Sequence, residues 1–575
     1  MRVLCFVTVG VLALVSVAAA QPVINSGGVQ NGASYQPGIA PGSIFVIKGT
    51  GLGPATLLQA PSLPFQTTLP PTTGTSVTFT SSTGAAIQAL MVYTWTSQIA
   101  ALLPSSTAPG NYNVTVTYNG ATSAPEPATV VTRNFGFVTQ AESGSGPAQA
   151  TYGGYNLNRF TTSSLPFEGH TWSLYPAVVG SKMILWGTGA GADPKSDING
   201  QTSGDQTAAG GFIVNIGGVD VTPAYVGRSS GSPGLDQLNF TVPAGVTPGC
   251  FVNVQVRGNG FTGNLGTIAI AAPGQKACSS PTLTESQLAK LDQGGTLTIG
   301  YLSLLKTSSE LNVSGQSFSS DTEEASGSFA KYTVGTIGTA GFTTTEIGAC
   351  YVYNLSGTAQ QIASGVSATP LNAGAQLTLN GPGASNVAMP SSASAGFYSA
   401  TLYSSGLNGL GASGKPTLAQ GTYTITGTGG SDIGAFTASV EFPGALTWTN
   451  EDTLPNPIPR SSPLTVTWTG LTSGVVVITG ISFASSGAAT LTATYNSSVF
   501  VCNAPATAGT FTVPVNVLGT LSQVSGDLSS GSFGSLSVSA GVQPAQFTAP
   551  LTAGGNIDQG YFTCSSGATK STGWQ

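Results

Sequence analysis

The residue types best suited to acid–base or nucleophilic catalysis are scarce in this sequence. His170 is the only histidine, so a Ser-His-Asp triad would have to use it, and no G-x-S-x-G elbow is present to hold a nucleophilic serine. The Asp and Glu residues are few and scattered, which gives no focus for the paired carboxylates of a glycosidase. The sequence therefore predicts no catalytic residue, no cofactor and no enzymatic activity.

One loop is rich in oxygen ligands, because Asp193, Asp197, Asn199 and Asp205 lie close together in the sequence. A calcium site is one interpretation, but the closing glutamate of an EF-hand is missing and a solvated loop is favoured. Zinc is disfavoured because no C-x-x-C occurs and His170 has no second ligand nearby. We therefore predict no metal site.

Tryptophan rings offer a different chemistry, because they can either stack on a ligand or fill a core. Trp186 and Trp468 lie within strand-like patterns, which favours core packing for these two. A sugar-binding face remains an alternative for a larger set: Trp172, Trp186, Trp448, Trp468 and Trp574.

Five cysteines follow the N-terminal segment, and an odd number leaves at least one unpaired. We predict a Cys502–Cys564 disulfide, because the last module expected below contains no other cysteine. For the remainder we predict Cys278–Cys350, with Cys250 as a buried thiol. The competing pair is Cys250–Cys278. Such pairs form in an oxidising compartment.

Export is predicted by residues 1–20, which have the features of a signal peptide. Arg2 is followed by an apolar run from Val3 to Val17 and then by small residues that end at Ala20. The alternative is a membrane anchor, but the run is shorter than the ~20 residues that span a bilayer. We expect cleavage near Ala20, no membrane span in the mature chain, and a secreted or cell-surface location.

The composition indicates an all-β protein. Charged residues form 6% of the chain, whereas glycine (79) and proline (35) are abundant, so helix-stabilising residues are few and turn formers are many. A net charge of −6 without a basic cluster argues against a nucleic-acid partner. The length predicts about four domains.

An internal repeat organises the first half of the chain. The segment 42–53, an apolar strand followed by Gly-Thr-Gly-Leu-Gly, returns as 180–191, and 98–104 returns as 237–243 at nearly the same offset. The glycines lack the spacing and the following helix of a phosphate-binding loop, which favours a tight turn between strands. Two β-sandwich modules are therefore predicted: 21–133 and 134–275.

The second half has a different composition. Leu283 to Leu291, with Thr284 and Gln287 at capping-box spacing, predict one short helix. Beyond the helix, alternating apolar residues and frequent turns again favour sandwiches. The expected units are a β-rich sandwich domain with one short helix, 276–445, and a C-terminal β-sandwich module, 446–575.

These motifs carry a resemblance. The segment 42–53, with the later Pro-Gly-x-Tyr-x-Val-x-Val strand, resembles the IPT/TIG family of immunoglobulin-like domains. The opening Asn31–Ser43 is similar to the repeat domain of secreted acidobacterial proteins, the Solibacter-type uncharacterised C-terminal domain family. The second copy departs from this pattern, because it loses the opening motif and gains a long loop, 192–209. The resemblance implies tandem immunoglobulin-like sandwiches and export, and it implies no known activity.

The sequence leaves three functional hypotheses. The favoured one is a structural or adhesive protein whose sandwich modules meet an unknown protein or glycan partner outside the cytoplasm, because loops between strands bind without a motif. The second is a carbohydrate-binding accessory protein. The third is an extracellular hydrolase with an unrecognised site.

Overall fold

Strands dominate the computed structural model, with 54% strand and 6% helix, and this confirms the predicted all-β fold of immunoglobulin-like sandwich modules. The structure describes residues 21–575 apart from 72–73, 141, 143, 145, 154–155, 168, 203, 281–282, 334–349, 359–367, 393–395, 407, 409, 445, 486–493 and 543. The predicted signal peptide, 1–20, lies outside the described residues. No helix in the described part of the chain is long and apolar enough to cross a membrane.

The first module is a sandwich of two antiparallel sheets. Its first sheet has the order β1-β2-β8-β7-β3, and its second sheet has the order β10-β9-β5-β4, with β11 on β9 and β6 on β5. Phe45 and Phe79 meet edge to face between the two sheets, which fixes the centre of the core. The strands are β1 (Val23–Asn31), β2 (Ile44–Thr50), β3 (Leu58–Gln59), β4 (Thr68–Leu69), β5 (Thr75–Ser81), β6 (Ala86–Gln88), β7 (Leu90–Thr94), β8 (Gln98–Leu102), β9 (Gly110–Tyr118), β10 (Ala121–Thr122) and β11 (Glu126–Val130).

The second module repeats this pattern. Its strand before the glycine motif, β17, pairs with β21 as β2 pairs with β8 in the first module. The sheets have the orders β15-β16-β14-β13-β17-β21-β20, with β12 on β17, and β19-β18-β22-β23. The elements are β12 (Gly136–Phe137), β13 (Ala150–Thr151), β14 (Asn156–Asn158), β15 (Ser163–Phe167), β16 (His170–Tyr175), β17 (Lys182–Thr188), α1 (Ser196–Asn199), α2 (Thr207–Gly210), β18 (Ile213–Ile216), β19 (Val219–Val221), β20 (Tyr225–Arg228), β21 (Asp236–Thr241), β22 (Gly249–Gly258) and β23 (Phe261–Ile270).

The second half begins with helix α3 (Glu285–Asp292), at the position that the sequence predicts. Thr284 caps it, and the reciprocal contact from Gln287 completes the capping box. The one-turn helices α1 and α2 leave no helical periodicity in the sequence, because four residues are too few to show it. The remaining strands up to residue 445 are β24 (Leu297–Val313), β25 (Gln316–Tyr332), β26 (Cys350–Thr358), β27 (Thr369–Pro370), β28 (Gln376–Gly381), β29 (Ala384–Pro390), β30 (Phe397–Ser404), β31 (Ser413–Gly414), β32 (Gly421–Gly427) and β33 (Phe436–Phe442).

The described residues of the C-terminal part add further strands and a short helix. Three 3₁₀ turns connect them, at Glu451–Thr453, Ala506–Ala508 and Leu528–Ser530. The elements are β34 (Thr447–Trp448), β35 (Leu464–Thr469), β36 (Val475–Ser485), β37 (Thr494–Pro505), β38 (Thr510–Val513), α4 (Val515–Leu518), β39 (Phe533–Gly541), β40 (Ala545–Gln546) and β41 (Gln559–Thr572).

The expected boundary at 445/446 does not separate two sheets. One 11-stranded sheet has the order β26-β37-β36-β39-β41-β24-β25-β30-β31, with β27 on β25 and β40 on β41, so it draws strands from both expected units. The C-terminal strand β41 lies parallel to β24 and so covers the open edge of the long β24–β25 hairpin. Each expected unit keeps its own small covering sheet, β29-β28-β32-β33 or β34-β35-β38, but the two core clusters on the shared sheet each include residues of both units.

The disulfides differ from the predicted pairs. Cys502 joins Cys350, which lies directly opposite it in the β26–β37 register, so the predicted Cys502–Cys564 and Cys278–Cys350 bonds are wrong. Cys564 is a buried free thiol on β41. It lies in a different core cluster from the one that contains Cys350 and Cys502. Cys250 joins Cys278, which was the competing prediction, so Cys250 is not a buried thiol.

The tip of the β24–β25 hairpin is held by Asp527. The backbone N–H groups of Ser314 and Gly315 donate to its two carboxylate oxygens at 2.9 and 2.8 Å. The hydroxyl of Ser529 donates to Asp527 as well, and together these bonds lower the pKa of Asp527 to about 2.

We predict an acid-dependent contribution from this contact. Because the folded pKa lies below the ordinary value of 3.8, the carboxylate stabilises the fold above pH ~4, and the contribution is lost as the pH falls through about 2. Urea unfolding of wild type and Asp527→Asn measures it. The difference in the free energy of unfolding between the wild type and Asp527→Asn should be constant from pH ~5 to 7. It should disappear towards pH ~2. A gap that does not change with pH would contradict the assignment.

Candidate functional site

The residues considered for catalysis and metal binding do not converge. His170 is exposed at the start of β16, opposite Phe167 in the β15–β16 hairpin. In the part of the chain that the structure describes, no three His, Cys, Asp or Glu side chains lie close enough to hold a metal ion. The polar residues of the 193–205 loop serve a different purpose.

Part of this loop docks on the first module through Asp193 and Asp197, whereas Asn199 and Asp205 are exposed, as the solvated interpretation expects. Ser105 of the first module donates to the Asp197 carboxylate from its backbone N–H at 2.7 Å and from its hydroxyl at 2.8 Å. The hydroxyl also accepts a bond from the Asp193 N–H at 2.9 Å. Burial raises the pKa of Asp197, and the bonds from Ser105 partly offset this effect. Asp193 and Asp197 of the long insertion therefore form an intermodule contact.

More hydrogen bonds extend this contact into a seam between the first two modules. The Asn31 side chain donates to the Asn134 carbonyl at 2.9 Å, and the Asn134 side chain donates back to the Gly38 carbonyl at 2.7 Å. Further along, the Ile44 N–H donates to the Thr188 hydroxyl at 2.9 Å. These bonds cross from one module to the other in both directions. The seam fixes how the two modules face each other.

We predict that Ser105→Ala weakens the seam. The change removes the bond from the hydroxyl to Asp197 and leaves the buried Asp193 N–H without its acceptor, at a cost of about 2 kcal/mol. Urea unfolding of the chain from Gln21 measures the effect. Ser97→Ala, in an exposed turn of the same module, is the control and should change the stability by less than ~0.5 kcal/mol. Equal stabilities for the two variants would contradict the role of Ser105.

A buried ion pair lies behind the seam. Arg228 and Asp236 are 2.9 Å apart, and both side chains are almost fully buried. Arg228 also donates to the Gly191 carbonyl at 3.2 Å, and the Ala190 N–H donates to Asp236 at 2.7 Å. Burial raises the pKa of Asp236, and Arg228 partly offsets this effect. The pair ties the second glycine motif to β20 and β21. Gly42 begins the glycine-containing segment 42–53 of the first module, and a Cβ on it would lie 2.9 Å from Arg228. The first copy of the motif therefore also allows close packing at the seam.

Polar and aromatic side chains gather on the outer side of the first sheet. Ile47 of β2 and Ile99 of β8 lie in the sandwich core, so their neighbours Lys48 and Gln98 point outward. Lys48 and Gln98 are direct partners in the β2–β8 register.

Two aromatic residues continue this row, Tyr93 on β7 and Trp95 directly after it. Thr94 points inward, where its hydroxyl donates to Thr75 at 2.9 Å, so Tyr93 beside it lies outward. The Gln98 side chain donates to the Tyr93 hydroxyl. Trp95 is 42% exposed, and its indole N–H donates to the Ala55 carbonyl at 2.9 Å.

Tyr35 completes the row at the other side. The Lys48 ammonium lies 4.5 Å from the centre of the Tyr35 ring, in cation–π contact. Burial, and then the nearby carboxylate of Glu142, raise the pKa of Tyr35 to about 12. Burial lowers the pKa of Lys48. Tyr35, Lys48, Tyr93, Trp95 and Gln98 form what we call the aromatic row.

The second module borders the aromatic row at both ends. A Cβ on Gly234 of the second module would lie 2.5 Å from the Ile44 side chain. The second module therefore covers the outer face of this sheet at the Ile44 end of β2. At the near end, Glu142 lies close enough to raise the pKa values of Tyr35 and Tyr93. A Cβ on Gly144 would lie 2.2 Å from the Ser34 carbonyl oxygen, so the second module also packs closely on the first module here. The row therefore lies beside the seam.

The tryptophans that the sequence singled out lie elsewhere. Trp448, Trp468 and Trp574 are buried in one core cluster, as core packing predicts. Trp186, which was also expected in a core, is half-buried on the outer side of β17, where its indole N–H donates to Thr151 at 2.9 Å. Trp172 is half-buried on β16. Sequence reasoning passed over Trp95 because it lies in a turn rather than in a strand pattern.

No protein-family model and no curated protein matches this chain. Among solved structures, the Bacteroides ovatus mixed-linkage glucan utilization locus SGBP-B, in complex with a mixed-linkage heptasaccharide, is 14% identical, with 78% of each chain covered and a TM-score of 0.12. The SGBP-B from a complex xyloglucan utilization locus in Bacteroides uniformis is 10% identical, with 66% of this chain and 85% of that one covered and a TM-score of 0.13. The chicken CNTN1 FN1–FN3 domains are 10% identical, with 73% and 98% covered and a TM-score of 0.11. Likenesses this weak identify neither a family nor a function.

Proposed function

We propose that this chain is an exported, non-catalytic binding protein that presents sandwich faces to a partner outside the cytoplasm. The observation that carries the proposal is the seam, because its hydrogen bonds hold one solvent-facing surface in a fixed position beside a second module. A pre-organised surface of this kind loses little entropy on binding.

Two further observations support the proposal. The disulfides Cys250–Cys278 and Cys350–Cys502 are typical of chains that fold in an oxidising compartment. The junction of the second module with the second half is also fixed, because buried Asp292 accepts bonds from the Thr161 N–H and hydroxyl, both at 2.8 Å. With both junctions held, the chain is suited to act as a rigid spacer that carries a binding face.

Two partner classes fit this role, a protein in a structural or adhesive setting and a glycan. The aromatic row favours the glycan, since it combines ring surfaces with hydrogen-bonding groups. The predicted family of secreted acidobacterial proteins, with IPT/TIG-like repeats, is compatible with either class.

Fractionation of the producing organism tests export. An antibody against the chain should detect it in the medium or on intact cells, where added protease degrades it, and its intact mass should correspond to a start at Gln21. A chain that stays inside the cells and retains Met1 would overturn the proposal.

A further inference from the structure

We propose that the aromatic row is a binding site for a neutral oligosaccharide. This inference rests on the proposed function and names the ligand class and the surface. The site is built by Tyr35, Lys48, Tyr93, Trp95 and Gln98 of the first module.

The chemistry of the row matches a sugar ring. Tyr35, Tyr93 and Trp95 offer ring surfaces for the apolar C–H faces of a pyranose. Lys48 supplies donors, Gln98 supplies both donor and acceptor groups, and the tyrosine hydroxyls do both, which suits the hydroxyl groups at the edge of the ring. Small-ligand sites commonly combine aromatic side chains with a few fixed polar groups, and they favour the seams between domains.

The dimensions of the row suit an extended ligand. Lys48, Gln98 and Tyr93 lie on the adjacent strands β2, β8 and β7. Two strand spacings separate the outer members by about 10 Å. Tyr35 lies against the Lys48 ammonium, and Trp95 follows the last residue of β7. A ligand that crosses the strands would therefore contact aromatic rings as well as the polar groups of Lys48 and Gln98.

Contacts within the protein restrict the side chains of the row. The Gln98 bond to Tyr93, the Trp95 bond to Ala55 and the packing of Lys48 on Tyr35 each restrict one or two of the side chains. The indole N–H of Trp95 is occupied, so this residue offers its ring face rather than its donor. Binding then needs little further ordering of these side chains.

The charges favour a neutral ligand. Lys48 is the only cation of the row, and its ammonium lies over the Tyr35 ring. An anionic polymer would meet Glu142 as well as a chain with a net charge of −6. A protein partner would need an interface of about 800 Å² on this side. Within the row only Trp95 is exposed, the other four members being partly buried, which suits a small ligand better.

Native affinity electrophoresis of the chain from Gln21 tests the proposal. The gels contain barley mixed-linkage β-glucan, xyloglucan or galactomannan as neutral probes, and polygalacturonate as an anionic probe. We expect at least one neutral probe to retard the protein. Trp95→Ala and Lys48→Met should each raise the apparent Kd at least tenfold. Phe397→Ala is the matched control, because Phe397 is 41% exposed but lies in the second half, and it should bind as wild type does. Unchanged thermal unfolding in all variants excludes misfolding.

Each outcome decides the proposal. Loss of retardation in the two row variants, with the control unchanged, supports it. Retardation that survives both row variants places glycan binding elsewhere and overturns this site, but it leaves the proposed function intact. Retardation by polygalacturonate alone overturns the neutral ligand class. No retardation by any probe overturns the inference, and the fractionation experiment then decides the proposed function separately.

Discussion

The double substitution Cys350→Ala and Cys502→Ala will lower the free energy of unfolding of the second half by about 5 kcal/mol. The disulfide closes a loop of 152 residues, and the loss of that constraint increases the entropy of the unfolded chain. Guanidinium unfolding, followed by the fluorescence of the tryptophans buried in the same core cluster, measures the change.

Cys564→Ala is the control, since this cysteine is buried and unpaired. It should cost about 1 kcal/mol, a typical effect of a point mutation. Burial raises the pKa of the Cys564 thiol to about 12, so an alkylating reagent at neutral pH should label it only after unfolding. A similar loss of stability in the control and the double variant, or native labelling of Cys502, would contradict the observed pairing.

Arg228→Met will destabilise the first two modules by roughly 3–5 kcal/mol. The substitution keeps much of the side-chain volume but leaves the Asp236 carboxylate buried without its partner. Urea unfolding measures the loss, and adding Asp236→Leu to the same chain should restore part of it. The buried location of the pair makes this effect large.

Arg257→Met provides the matched control. Arg257 pairs with Asp220 on the surface, where both side chains are more than a third exposed, so its removal should cost less than ~1 kcal/mol. If the two variants lose the same amount, the buried pair does not stabilise the seam as described.

The sequence predicts the strands well, because alternation and turn residues are local signals. The repeat of the glycine motif corresponds to the same strand pairing, β2 with β8 and β17 with β21. These local signals do not predict which strands pair when the strands are far apart in the chain. The partner of Cys502 depends on the β26–β37 register, which joins residues far apart in the chain. The spacing of the cysteines in the sequence does not reveal this register.

The aromatic row could be predicted only in fragments. The outward position of Lys48 follows from strand alternation around Ile47. The position of Tyr93 does not, because a register shift between Met91 and Tyr93 breaks the alternation of β7. The nearness of Glu142 depends on how the second module packs on the first, and a loop that sequence reasoning treated as solvated proved to be part of that packing.

The most direct test of non-catalytic binding is isothermal titration calorimetry. A neutral polysaccharide that retards the chain is injected into the protein starting at Gln21. We predict saturating heats that return to the baseline after each injection, as binding without turnover requires. A steady heat flow that persists after injection and scales with the protein concentration would show turnover and would contradict the account.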